Sequence, residues 1–428
     1  MVFSCGGDLS ELTDWVISNG GHSKVKVEDN AKVGRHLVLT EDVLDQTAIV
    51  SVPADLVFTL RNAPKKLTEI LDSIPEDVLD RSEASDLLLY LLYERFRKDT
   101  RWKPFLATQP AGFSSPILDD RCDRFLQGTP LLPVCQSLRH EMSETFEKLQ
   151  KYLLERWPAE FPKDQFDRET LKWAQAICES RSFKVLVEDV EETVLVPLVD
   201  MANHDPTGCL FRDLYDPERG FHLRISGKSF RKGDELNLRY GELPNWELLL
   251  HYGFALDNNP HDRLDILLDS SDEDDNMQSA AKRALLLELG RVHGISLEHS
   301  VPRIDPKSSE GFPKELLASM RLISANESEL EPITINNLAE KTSHVISDRC
   351  EREVFSTLEM ILQATMASLG TSLQSDLKDR EHHDGDVPER YALIYRLELR
   401  KIIQSLLDWV MIHDPRSSDS DYQKTLLR

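Results

Sequence analysis

The periodicity of the apolar residues changes three times along the chain, and those changes limit the fold more than any single motif does. Between about residue 22 and residue 60, "SKVKVEDN" alternates with period two and "RHLVLTEDV" and "QTAIVSVP" are rich in β-branched residues. Turn residues separate the three pieces, which predicts a small antiparallel sheet. Helical spacing then takes over in "SDLLLYLLYERFRKD", "SLRHEMSETFEKLQKYLLERW" and "DRETLKWAQAICES", interrupted by the proline-containing "RWKPFLATQPAGFSSP". Strand character returns in "TVLVPLVDMA", "GFHLRISG" and "DELNLRYG", the last entered through the Lys232-Gly233 turn. The reading is an α+β core over about residues 22–265 with a helical insert at about 80–175, preceded by a helix within residues 1–21 ("ELTDWVISNGG") that stops at a glycine pair. Beyond the acidic stretch "LDSSDEDDN" every segment has helical spacing, so residues 277–428 are expected to form a separate all-α domain.

A chain of 428 residues is long enough for two or three domains with sizeable cores. Its net charge of −24 disfavours nucleic-acid binding by counterion release. The six cysteines (Cys5, Cys122, Cys135, Cys178, Cys209, Cys350) show no paired spacing that would build a metal site, so reduced and mostly buried thiols are expected. Asp8 and Glu11 fall where a secretory signal needs an apolar run, and "LLLYLLY" is far too short to span a bilayer. These features point to an intracellular protein, in cytoplasm, nucleus or both, without membrane contact and with nothing that asks for more than a monomer.

Several familiar motifs fail on inspection. "GKS" at Gly227 to Ser229 lacks the earlier glycine of a phosphate loop, since His222 stands there. "HEMSE" at His140 to Glu144 lacks the second histidine of a zinc-protease helix. No G-x-S-x-G announces a nucleophilic serine, and "HHDGD" at His382 to Asp386 reads as a solvated loop.

Two segments remain. "LVDMANHD" (Leu198 to Asp205) ends an apolar run in polar side chains, and "GDELNLRYGELPNWELLLHYGF" follows some forty residues later. Alternation in the second sends Leu236, Leu238 and Tyr240 to one face and Asn237 and Arg239 to the other. A buried Tyr240 hydroxyl needs a hydrogen-bond partner, and an Asn-His pair at a strand end needs several.

"GRHLVLTEDV…AIVSVP", "RWKPFLATQP", "LQGT", "WAQAICESRSF", "VPLVDMANHD", "GDELNLRYG" and "HYGFALDNNPHDRLDI" occur in one order. In that order and spacing they resemble the SET-domain methyltransferases of the Rubisco large-subunit methyltransferase type. The resemblance spans nearly the whole chain. It implies a β-rich SET core with a pseudoknot and a helical insert, then an α-helical domain that holds a protein substrate. The implied cofactor is S-adenosylmethionine (AdoMet) without a metal, and the implied acceptor is a lysine, or in some members a histidine. By the same resemblance Tyr240 is the catalytic tyrosine, Asn203 and His204 contact AdoMet, and Gly34, Arg35 and His36 supply backbone contacts. Arg181 partners the cofactor carboxylate and Phe254 covers the adenine, while Phe183 and Tyr252 wall the acceptor channel. On the residues alone, Arg181 also suits a helix C-terminus, Asn203 and His204 a turn cap, and Tyr252 and Phe254 helix-end packing. Two departures stand out: His36 where the family usually has a small residue, and Asp205 where Ser or Thr is common. They motivate an alternative, a catalytically weak or inactive SET scaffold that acts by binding a partner.

Overall fold

The computed structural model of the protein describes residues 9–30, 34–209, 215–224, 227, 229–268, 285–287, 298–383 and 387–416. Cys5, the acidic stretch after Leu268, most of the helical stretch at 280–292 and the Asp384 to Asp386 end of "HHDGD" lie outside them. The chain divides into two compact units. The first comprises residues 1–123, 133–255 and 385–391; the second comprises 124–132, 256–384 and 392–428.

The first unit opens with helix α1 (Leu9–Ser18), which buries Leu12 and Val16. Strands β1 (His22–Ser23), β2 (Val25–Asn30), β3 (Gly34–Leu39) and β4 (Ala48–Val52) follow, as the alternation predicts. β2 and β3 form an antiparallel hairpin in which Gly34 faces Asn30 and His36 faces Glu28. Helices α2 (Lys65–Ser73), α3 (Glu83–Phe96), α4 (Lys103–Ala107), α6 (Leu131–Arg156, from Pro133 on) and α7 (Arg168–Arg181) make up the helical block, while α5 (Asp123–Leu126) falls in the second unit from Arg124 on. α3 and α7 begin at reciprocal caps, Ser82 with Ser85 and Asp167 with Thr170, which satisfy the first free N–H groups of each helix.

Strands β5 (Ser182–Val187) and β6 (Val190–Leu195) pair as a hairpin. After β6 the structure departs from the sequence reading. The apolar run continues to Ala202, but the strand ends at Leu195, and Val199–Met201 is a single 3-10 turn entered through Leu198 at φ 75°. Every residue from Val194 to Ala202 is buried. The run is therefore apolar because it is buried, not because it pairs. Strands β7 (His204–Cys209), β8 (Tyr215–Asp216) and β9 (Gly220–Arg224) come next, and a four-stranded sheet has the order β1-β4-β9-β8.

"DELNLRYG" also differs from a regular strand. It is held by isolated bridges, antiparallel between Val38 and Glu235 and parallel from Leu238 to His204 and Cys209. Leu238 N–H donates to Asn203 O at 2.8 Å, and Cys209 N–H to Asn237 O at 3.0 Å. Gly208 makes this close threading possible, because a Cβ there would stand 2.8 Å from the Leu238 carbonyl carbon. The segment ends in helix α8 (Asn245–Glu247), a π-type turn over Leu248–Tyr252, and Gly253 in the left-handed region at φ 76°.

In the second unit, strand β10 (Arg263–Leu267) pairs antiparallel with β11 (Glu298–Pro302). β11 is a strand within the stretch read as wholly helical; its five residues are too few for periodicity to reveal, and the partner strand makes it. Helices α9 (Lys314–Ser324), α10 (Glu327–Leu330), α11 (Leu338–Ser343), α12 (Asp348–Ser368), α13 (Leu373–His382) and α14 (Val387–His413) complete the chain. Asp376 is buried between Arg396 (3.2 Å) and Arg400 (3.0 Å), and Arg396 also donates to the carbonyls of Phe125 in α5 and of Gln127 in "LQGT". Cys122, Cys135, Cys178, Cys209 and Cys350 are all buried and none of these five is in a disulfide.

Candidate active site

The threaded crossing of residues 203–209 and 237–240 brings the two singled-out segments together. The Tyr240 hydroxyl donates to the carbonyl of Ala202 at 2.7 Å, and the Tyr240 backbone N–H donates to Nδ1 of His204 at 3.1 Å. Because Nδ1 accepts, the neutral ring carries its proton on Nε2. Burial raises the Tyr240 phenol above its ordinary pKa, against the lowering effect of Arg181, so it stays protonated through the neutral range.

An aromatic group surrounds this bond. The Tyr240 ring lies 5.0 Å from that of His204 and 5.0 Å from that of Tyr252. Phe254 lies 6.0 Å from His204 and 6.2 Å from Tyr252, and Tyr391 closes the row at 6.3 Å from Phe254. Burial raises the Tyr252 phenol as well. Phe183 sits on β5, where its ring packs 5.7 Å from that of Phe221 on β9.

Polar groups gather on the other side. Asn203 Nδ2 donates to the Arg35 carbonyl and to Glu235 Oε1, each at 3.2 Å, tying the threaded segment to β3. Arg181, the last residue of α7, donates through Nη1 to the Asp200 carbonyl at 2.8 Å and lies 3.4 Å from Asp200 Oδ2. Gln109 Nε2 donates to the same carboxylate oxygen at 3.0 Å, and Arg35 donates to the Thr108 carbonyl. The Asp200 side chain is fully buried, and burial raises its pKa while Arg181, Gln109 and Arg35 hold it down. Arg181 Nε and Asp200 Oδ1 are buried with no hydrogen-bond partner among the described residues. Such atoms cost free energy unless something meets them.

The two departures have local accounts. His36 is buried with Nδ1 3.0 Å from the Gly34 carbonyl, so its ring folds back on its own loop. Asp205 Oδ1 accepts from Thr207 N–H and Oγ1, each at 2.7 Å, which stabilises the start of β7. Among the described residues no three His, Cys, Asp or Glu side chains converge to hold a metal.

The fold has solved counterparts. The crystal structure of the SET domain of LSMT bound to lysine and AdoHcy superposes with a TM-score of 0.77, covering 98% of this chain and 95% of that one at 20% identity. The structure of Rubisco LSMT bound to AdoMet gives a TM-score of 0.76 with the same coverage. Residues 273–403 match the family described as Rubisco LSMT substrate-binding. The chain has the fold of these Rubisco LSMT SET-domain structures. Human actin-histidine N-methyltransferase is 25% identical over 410 residues, covering 92% of this chain and 67% of the human one. The chicken (Gallus gallus) actin-histidine N-methyltransferase is 25% identical over 409 residues.

Within the first unit, the expected residues Asn203, His204, Tyr240, Tyr252 and Phe254 meet around the threaded crossing, and Arg181, Gly34, Arg35 and His36 border it. Asp200 and Gln109 were not among the expected site residues, although both lie in quoted motifs. A carboxylate in an otherwise apolar run, "PLVDMA", was the available signal, because such a group is rarely buried without a cation. Tyr391 lies 137 positions after Phe254, and no spacing connects them.

Proposed function

We propose that the protein transfers methyl groups from AdoMet to a lysine side chain of a protein substrate. The observation that carries the reading is the Tyr240 hydroxyl fixed on the Ala202 carbonyl, inside the Asn203-His204 segment and among the rings of Tyr252 and Phe254.

AdoMet supplies a methyl group on a sulfonium, with an amino-acid carboxylate and ammonium at its other end. The unpartnered Arg181 Nε–H and Asp200 Oδ1 suit that zwitterion, the guanidinium meeting a carboxylate and the carboxylate an ammonium. Asn203 and His204 would hold the donor next to them, with Gly34, Arg35 and His36 at its edge, and Phe254 would cover the adenine. The Tyr240 oxygen, still protonated and already donating to Ala202, keeps lone pairs that can accept an N–H of the acceptor and aim its free pair at the methyl group. A lysine side chain, with a pKa of roughly 10.4 in water, must lose its proton before it attacks. The closely set Tyr240 and Tyr252 rings favour the neutral amine by excluding water. The helical second unit would hold the substrate protein. Intracellular placement, in cytoplasm or nucleus, belongs to the same proposal, supported by the five buried thiols, and so does action as a monomer.

Histidine is the second reading, favoured by the relatives named as actin-histidine N-methyltransferases. An imidazole needs no deprotonation at neutral pH, but its second ring N–H must find an acceptor for the other nitrogen to attack.

Titration calorimetry with AdoMet and with AdoHcy, followed by acid hydrolysis of protein labelled with methyl-tritiated AdoMet, tests the proposal. Binding of both, lost in Asn203→Ala, with label recovered as methyl-lysine, is the expected result. Label in methyl-histidine would replace the acceptor, and no binding of either compound would leave a scaffold without catalysis.

A further inference from the structure

Within the first unit, α3, α6 and α7 form much of the wall of a half-open cavity of about 470 Å³ that takes no part in the site above. Its walls are apolar, with Leu88 and Leu89 from α3, Leu138 and Met142 from α6, and Leu171 from α7. A volume in this range is that of small-molecule sites, which pair apolar walls with a few polar groups.

The polar groups here have one sign to spare. Glu141 and Glu179 both line the cavity, and among the described residues neither carboxylate lies within ion-pair distance of a lysine or arginine. Glu141 accepts from the Ser137 hydroxyl at 2.9 Å, and Glu179 Oε1 accepts from Gln175 Nε2 at 2.9 Å. His251 Nδ1 stands 3.9 Å from Glu179 Oε2, too far for a hydrogen bond. Lys184, the cation among the lining residues, is drawn away to Glu191 at 3.3 Å. A chain of net charge −24 offers no excess of cations to neutralise this rim.

We infer that the cavity binds a small amphiphilic amine, its apolar chain between α3, α6 and α7 and its ammonium between Glu141 and Glu179. A carboxylate-headed molecule of the same chain would meet two like charges, so the head group decides the affinity. Glu179 lies two residues before Arg181, and His251 directly before Tyr252, so an occupant would bear on both ends of the active site.

The test uses the full chain and the neutral fluorescent dye N-phenyl-1-naphthylamine, displaced by decylamine, decanol or decanoate below their micelle-forming concentrations. Decylamine is expected to displace the dye at a concentration about tenfold below that of decanoate, with decanol between them. Glu141→Gln with Glu179→Gln should shrink that ratio to about twofold. Ala84→Trp, at an exposed lining position, and Thr145→Trp, on the facing helix, should each weaken dye binding about tenfold in protein whose melting temperature is unchanged. Dye binding unaltered by either folded tryptophan variant would overturn the site. An amine-to-carboxylate ratio unaltered by the double glutamine variant would overturn the amine assignment.

Discussion

The backbone N–H of Tyr240 donates to Nδ1 of His204 across the threaded crossing, 3.1 Å apart, with the two rings 5.0 Å from centre to centre. One bond thereby sets the tautomer of His204 and the position of the Tyr240 hydroxyl. His204→Ala strips the partner from a backbone N–H in a packed region, a loss of about 1 to 3 kcal/mol. The expected outcome is a lower melting temperature together with weaker AdoMet binding in calorimetry. His204→Asn, which keeps an acceptor, should recover much of the stability.

Asp200 and Arg181 test the polar side of the site. Asp200→Asn keeps the shape and removes the counter-charge, so AdoMet should bind about tenfold more weakly, roughly 1.4 kcal/mol, while the fold holds. Asp200→Ala leaves Arg181 without its partner and should cost about 3 kcal/mol of stability. Calorimetry and thermal melts on the two variants separate these effects.

The pH dependence distinguishes the acceptors. Tyr240 is raised above its ordinary value, so it remains a phenol from pH about 6 to 9 and contributes no break there. With a lysine substrate, kcat/KM should rise about tenfold per pH unit across that range, because only the neutral amine attacks. With a histidine substrate the profile should bend near pH about 6.5 and run flat above it. Initial rates against a purified substrate decide between them.

Gly128 in the "LQGT" loop sits at φ 73°, and a Cβ there would stand 1.7 Å from the Ser368 carbonyl oxygen at the end of α12. Ser368 Oγ donates back to the Gly128 carbonyl at 2.7 Å. Gly128→Ala therefore meets both a strained backbone and a clash, and should cost about 3 kcal/mol or more. A melt of the variant that matches the wild type would contradict this packing.

Much of this arrangement was legible in the chain. The strand pattern of β2 to β4 and the helices α3, α6 and α7 follow from local periodicity, and the meeting of "ANH" with "RYG" is what the resemblance to the SET-domain methyltransferases implies. What was not legible depends on tertiary environment. The run Val196 to Ala202 reads as strand because burial and pairing select the same side chains, yet it pairs nowhere beyond Leu195. "DELNLRYG" alternates like a ladder strand but makes isolated bridges, since its neighbours cross it as threaded segments. The Asp200, Gln109 and Arg181 cluster joins three motifs across 91 positions, and only the folded chain shows that one carboxylate serves two donors.

The most direct measurement of the central claim is methyl transfer by Tyr240→Phe. Purified wild type, Tyr240→Phe and Asn203→Ala are incubated with methyl-labelled AdoMet and a methylation-depleted cell extract, and AdoMet affinity is measured alongside. The phenylalanine variant keeps the ring and loses the hydroxyl that donates to Ala202. The account predicts label on a discrete protein band with wild type, AdoMet binding within about twofold in Tyr240→Phe, and transfer reduced about a hundredfold, roughly 2.7 kcal/mol. Transfer by Tyr240→Phe at the wild-type rate, or no label from wild type despite AdoMet binding, would contradict it.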